Sequence, residues 1–253
     1  MRLFIKLITI GITVFSFSII NANSNIKLQS VDIDINDKLS LQRGAKIFFD
    51  KCIGCHSLKY IRYIDLATGI GFKEDKKKSI EILIKQNLIN DKNLNINDYV
   101  TGYMYNKDAI KWFGKIPPDL SLISRYRTDN WVYTYMKSFY IDKNRSIGIN
   151  NLVFPDVGMP HVLLQLQGKQ ILKENKHSNN PDDLLELTEN GSLSKTEYNK
   201  LIKDLVCFLS YVGEPKKTER INFGIYVLIF TFILTITLYL LKKEYWKDIK
   251  NIK

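Results

Sequence analysis

With three cysteines and three histidines in 253 residues, the chain is poor in the side chains that hold metal ions. A structural zinc site takes four such ligands. Beyond Cys52, Cys55 and His56, only Cys207, His161 and His177 remain, and none of them is paired at a finger-like spacing. A disulfide between Cys52 and Cys55 would close too small a loop to stabilise much. Arginine-rich blocks and recognition-helix patterns are also missing, so a net charge of +11 does not point to nucleic acid. Arg2 and Lys6 at one end, and Lys242, Lys243, Lys247, Lys250 and Lys253 at the other, carry a good part of that charge. The rest reads as a solvated lysine-rich surface. No internal repeat is present.

What the chain does have is two long apolar runs. The first, Leu7–Ile20, follows Arg2 and Lys6 and is followed by Asn21-Ala22-Asn23-Ser24. That layout predicts a signal peptide over residues 1–22, although Ile20 stands where a small residue is preferred and an uncleaved segment is the alternative. The second spans 21 uncharged residues, 221–241, enough for a helix across roughly 30 Å of hydrocarbon. A buried core helix seldom runs so long without a polar face. The lysines of 242–253 place the C-terminus in the cytoplasm, with Tyr239, Tyr245 and Trp246 at the interface. Residues 23–213 then form one exported body, joined to the membrane helix by a charged linker at 214–220, in a bacterial inner membrane with the body in the periplasm.

Within the body the expected class is mostly α. Residues 23 to about 37 read as an extended arm. Leu41, Ala45, Phe48, Phe49 and Cys52 recur at helical steps, with Ser40 as candidate N-cap. The charge run 73–78 and the Asn/Asp-rich stretch to Asp98 flank an apolar-periodic segment, Ile80 to Leu88, and together read as solvated insertions. Pro117-Pro118 breaks regular structure. Trp131, Tyr135, Met136 and Phe139 mark a helix entered near Asp129. The last soluble helix opens on a capping box, Ser194 with Glu197, repeats Leu201, Leu205, Phe208, Leu209 and Val212 along one face, and ends at Gly213 before Pro215.

The strongest motif is Cys52-Ile53-Gly54-Cys55-His56. Two thiols on one turn can each add to a haem vinyl group, and the following His then points at the iron, giving one covalently bound haem c. Export fits, because such haem is attached outside the cytoplasm. A thioredoxin-like dithiol would need a βαβ context that this helical neighbourhood lacks. His56 is thus the first iron ligand. For the sixth position the sulfur candidates are Met104, in the Tyr-rich segment 99–105, Met136, on an apolar helical face, and Met159. Met159 is favoured because Gly158-Met159-Pro160 is a loop stiffened by proline, and His161 is the nitrogen rival. Cys207 reads as a packed free thiol.

At these residues the chain resembles the cytochrome c1 family, the haem subunits of the cytochrome bc1 complex, in its proteobacterial form. The resemblance rests on Arg43-Gly44 through Cys52-Ile53-Gly54-Cys55-His56-Ser57-Leu58, on Pro117-Pro118-Asp119-Leu120-Ser121, on Val153 through Leu163, and on Tyr211-Val212-Gly213-Glu214-Pro215 before a membrane helix. It runs from about residue 38 to the end. It implies a cytochrome c-type haem domain with loop insertions, Met159 as axial partner of His56, Pro118 against the haem, and Arg127 pairing with a propionate. Trp131 falls where the family usually has a haem-side Tyr, and an indole does not replace a phenol closely. It further implies an electron-transfer subunit rather than an enzyme in its own right, taking single electrons from a Rieske iron–sulfur protein and passing them to a soluble or anchored cytochrome c. Cytochrome b and the lipid bilayer are the other partners. A tethered carrier of a terminal oxidase or nitric oxide reductase is one alternative, though those commonly place the anchor at the N-terminus. A haem enzyme or gas sensor with an open sixth site is the other.

Overall fold

The computed structural model describes residues 26–73, 79–89, 91, 93–173 and 178–250, with side chains through residue 247. The predicted signal peptide, much of the charged run at 73–78, and His177 lie outside the described residues. In chain order the elements are α1 (Lys38–Lys51), β1 (Leu58–Arg62), α2 (Tyr63–Gly69), α3 (Ile80–Asn87), β2 (Tyr99–Val100), α4 (Asn106–Phe113), α5 (Ile123–Arg127), α6 (Asp129–Lys137), β3 (Phe139–Ile141), β4 (Ile149–Asn151), α7 (Leu164–Gln167), β5 (Gly168–Leu172), α8 (Pro181–Leu184), β6 (Leu185–Asn190), α9 (Lys195–Gly213) and α10 (Lys217–Lys250). The class is mostly α, as the sequence predicts. Among the described residues the strands make three two-stranded antiparallel ribbons, β1 with β2, β3 with β4 and β5 with β6.

The chain divides into two units, a larger one of Val31–Tyr133 with Lys195–Lys253 and a smaller one of Met1–Ser30 with Thr134–Ser194. In the larger unit α1 packs along α9. Leu41, Phe48, Ile202, Leu205 and Phe208 are all essentially inaccessible to solvent, and the Phe48 and Phe208 rings lie 5.7 Å apart. Full burial of side chains this size contributes about 1.5–3 kcal/mol each. The N-cap of α1 is Asp37, whose carboxylate accepts from the N–H groups of Leu39 and Ser40, not Ser40 as the sequence pattern suggests. Ser40 is buried instead and donates to Asp204 Oδ1 at 2.6 Å. Asp204 is a carboxylate on the apolar side of α9, tolerable only with partners. Arg43 supplies two more, Nε to Oδ2 at 2.6 Å and Nη2 to Oδ1 at 2.9 Å, and this pairing raises the Arg43 pKa.

The adjoining Gly44 is what lets the two helices approach. A Cβ there would collide with the Asp204 carbonyl oxygen and stand 2.6 Å from Phe208 Cβ. Cys207 is fully buried, and its thiol donates to the Asp34 carbonyl at 3.2 Å, consistent with a packed thiol.

In the smaller unit, the extended arm is held by Lys27 N–H donating to the Asn179 carbonyl and Gln29 N–H donating to Thr134 Oγ1. Phe139, predicted to continue the helix from Trp131, begins β3, because α6 stops at Lys137. Phe139, Ile149 and Val157 form a buried cluster, against which Tyr135, Ile141 and Met159 pack.

Among the described residues one helix is long and apolar enough to cross a membrane, Lys217–Lys247. Helical structure therefore includes residues 217–220, ahead of the apolar run. Leu228, Phe230 and Phe232 are each about two-thirds exposed or more, an apolar surface that requires hydrocarbon or other helices around it.

Gly44→Ala forces α1 away from α9. Overpacking of this kind costs about 1–3 kcal/mol, and the detergent-solubilised full chain is expected to melt about 4–10 °C lower by far-ultraviolet circular dichroism.

Candidate functional site

The Cys52–His56 motif is the continuation of α1. Cys52 N–H and Ile53 N–H donate to the Phe48 carbonyl, and Cys55 N–H and His56 N–H donate to the Cys52 carbonyl at 3.0 and 2.9 Å. A single tight turn thus presents both thiols and the imidazole. All three cysteines are free thiols. Burial pushes Cys52 up to about 12 and raises Cys55 as well. A redox-active dithiol needs the opposite, a thiol pKa lowered by positive surroundings.

His56 is 9% exposed, and burial lowers its pKa, so it is held neutral. Its Nδ1 stands 2.8 Å from the Pro118 carbonyl oxygen. A carbonyl only accepts, so Nδ1 carries the hydrogen and Nε2 keeps its lone pair for a metal. This is the arrangement by which a second partner fixes tautomer and ring orientation in ligating histidines.

The Pro117–Ser121 segment reaches His56 because it is laced to the chain just after the motif. Leu120 N–H donates to the Ser57 carbonyl, and Asp119 Oδ2 accepts from Lys59 N–H, each at 2.9 Å. Asp119 Oδ1 accepts from Ser121 N–H, and Ser121 Oγ from Tyr60 N–H. On the motif's other side Gly102 N–H donates to Ser57 Oγ at 2.8 Å and Tyr103 N–H to the Ile53 carbonyl at 3.2 Å. A Cβ on Gly102 would lie 3.1–3.2 Å from the His56 backbone. Met104 is half-buried next to this segment. Asp119 and Ser57 lie in the motifs quoted above, but the sequence assigns them no supporting role, and Gly102 is not singled out at all. The Asp-x-Ser turn was the available signal for Asp119.

Arg127 and Trp131 meet in the larger unit, the guanidinium carbon lying 5.0 Å from the Trp131 ring centroid and 4.8 Å from that of Tyr126. The indole supplies a face on which the cation stacks, which a phenol at the same place would also do while donating a stronger hydrogen bond.

Met159 belongs to the smaller unit. Its thioether packs on the Phe139 cluster and accepts from Tyr135 O–H at 3.4 Å. Met136 is buried, 6% exposed, as an apolar helical position should be. His161 stacks on Phe139, rings 4.8 Å apart and 6° from parallel, and burial lowers its pKa to about 4.

No group of three or more His, Cys, Asp or Glu side chains among the described residues is arranged to hold a metal ion. The residues fit a haem that brings its own four nitrogens: two free thiols on one turn, an oriented neutral imidazole, and thioethers on loops. Asp119→Ala releases two backbone donors that hold Pro118 in place. It is expected to cost about 1–3 kcal/mol, read as a lower melting temperature, with Asp119→Asn losing less.

The family model for the cytochrome C1 family matches residues 31–249. Cytochrome c1 of Allochromatium vinosum is 48% identical over 88% of this chain and 89% of its own length. The ammonia monooxygenase gamma subunit of Nitrosomonas europaea is 40% identical, covering 97% of this chain and 98% of its own. Cytochrome c1 of Rhodospirillum rubrum is 25% identical over 85% and 84%. With the site geometry, these matches place the chain in the cytochrome c1 family, as the membrane-anchored haem subunit of a cytochrome bc1 complex, carrying one covalently bound haem c.

Proposed function

We propose that Cys52 and Cys55 form the two thioether bonds, that His56 Nε2 and Met159 Sδ are the axial iron ligands, and that Arg127, stacked on Trp131, pairs with a propionate beside Pro118. When bound there, the haem supplies a one-electron couple. The observation that carries the reading is the His56 Nδ1 to Pro118 carbonyl contact, since it leaves one nitrogen and one direction for the metal. Met159 is preferred over Met104 because its sulfur already sits in a packed, hydrogen-bonded setting on a loop bounded by Pro155 and Pro160. A saturated sixth position suits outer-sphere electron transfer and leaves no coordination site for oxygen or peroxide. The chain makes and breaks no substrate bond. Catalysis of quinol oxidation belongs to the assembled complex.

In this reading the electron arrives from a Rieske iron–sulfur protein and leaves to a soluble or anchored cytochrome c, with cytochrome b alongside. The haem domain faces the periplasm and the basic tail the cytoplasm, the orientation that Lys242, Lys243 and Lys247 favour. Arg127 and His56 both come from the larger unit, so attachment, first ligand and propionate contact follow from one contiguous framework of α1, α5 and the Pro117–Ser121 segment.

Two measurements test this. Met159→Leu is expected to abolish the long-wavelength thioether-to-iron charge-transfer band and to lower the potential by more than the ~59 mV that a tenfold one-electron shift represents, whereas Met104→Leu leaves both unchanged; the reverse pattern transfers the ligand to Met104. Pull-down from native membranes with a haem stain should recover cytochrome b and the Rieske protein. Recovery of ammonia monooxygenase subunits instead would contradict the partner assignment.

A further inference from the structure

Tyr135 has a role that neither the motif nor the family assignment supplies. It sits in the last turn of α6, and its hydroxyl donates to Met159 Sδ at 3.4 Å. A thioether sulfur has two lone pairs. If one goes to iron, the second remains available, and the hydroxyl is directed at this sulfur in a partly buried setting.

The pair is held by a shared buried amide. Asn151, 1% exposed, donates from Nδ2 to the Tyr135 carbonyl at 2.8 Å, while its Oδ1 accepts from Val153 N–H at 2.9 Å and Phe154 N–H at 3.2 Å. One side chain therefore references both the helix turn carrying Tyr135 and the start of the loop carrying Met159. Asn150 extends the arrangement, its Oδ1 accepting from Asp156 N–H at 3.0 Å. The Tyr135 ring is fixed edge-on to Phe139, centroids 5.1 Å apart at 69°.

We propose that Tyr135 is a positioning residue for the axial thioether: its O–H bond to Met159 Sδ orients the sulfur and draws electron density from it. A sulfur that donates less to iron stabilises the ferric state less, so the bond raises the reduction potential. The proposal rests on Met159 as the iron ligand.

The test is Tyr135→Phe in the full-length haem-loaded protein in its native complex. The substitution deletes one oxygen and preserves the ring that packs on Phe139. Expected are a three- to tenfold shift of the Fe(III)/Fe(II) equilibrium toward Fe(III), ~30–60 mV at 59 mV per tenfold for one electron, and weaker binding of added imidazole to the ferric protein, with the thioether charge-transfer band shifted and the melting temperature nearly unchanged. A role in packing alone would move the melting temperature and leave potential and imidazole affinity where they were, which overturns the proposal. The comparison with Met159→Leu separates the two claims. If Met159→Leu abolishes the band while Tyr135→Phe changes neither potential nor imidazole affinity, the ligand assignment stands and the tuning role falls. If Met159→Leu changes nothing, the ligand assignment itself falls, and this proposal with it.

Discussion

An imidazole can present one nitrogen to a metal in a fixed direction only if its other nitrogen is committed elsewhere. In this chain that commitment is the His56 Nδ1 hydrogen bond to the Pro118 carbonyl, and much of the surrounding local structure exists to place that carbonyl. Proline at 117 and 118 withholds two backbone donors and limits the backbone to extended forms, so the segment cannot fold back on itself. Asp119 and Ser121 then tie it to residues 59 and 60. Because the cysteines and His56 share one turn at the end of α1, fixing the imidazole also fixes where a thioether-linked ring must lie. Helix α1 is in turn seated by Gly44 against α9.

The same device recurs: a buried polar side chain that organises backbone around it. Asp204 binds Ser40 and Arg43 and registers α1 on α9. Asn151 serves Tyr135, Val153 and Phe154 and registers the methionine loop. A buried carboxylate or amide is costly when unpaired and directional when satisfied. These residues therefore add little net stability compared with an apolar core and instead specify geometry, which is what a weak thioether ligand and an oriented imidazole require.

The helices α1, α9 and α10 were legible in the sequence because each has an apolar period or an unbroken apolar run, and the Cys52–His56 motif because its spacing is itself the chemistry; the period at 80–88 read as part of a solvated insertion, whereas Ile84 and Leu88 are buried. The N-cap was not: Ser40 and Asp37 are both good cap residues, and only the presence of Asp204 across the helix interface makes Ser40 a core donor. Phe139 continues the apolar spacing of α6, yet its pairing with Asn151 in β4 draws it into a ribbon, a long-range contact that local periodicity cannot encode. The resemblance puts Pro118 against a haem; that its carbonyl is aimed at His56 Nδ1 required coordinates. The bond from Tyr135 to Met159 spans two elements and leaves no trace in either one's pattern.

Electron transfer asks little chemistry of the protein and much rigidity, and the structure holds both proposed ligands, His56 and Met159, in hydrogen-bonded settings, while the apolar helix α10 supplies attachment to the membrane. The account depends most directly on the covalent link at one turn. Tandem mass spectrometry of the proteolytic peptide that retains haem after acid–acetone extraction tests it: the account predicts a single haem-bearing peptide containing residues 52–56, with thioether bonds mapped to Cys52 and Cys55. Release of the haem into acid–acetone, or a haem-bearing peptide lacking these residues, would contradict it.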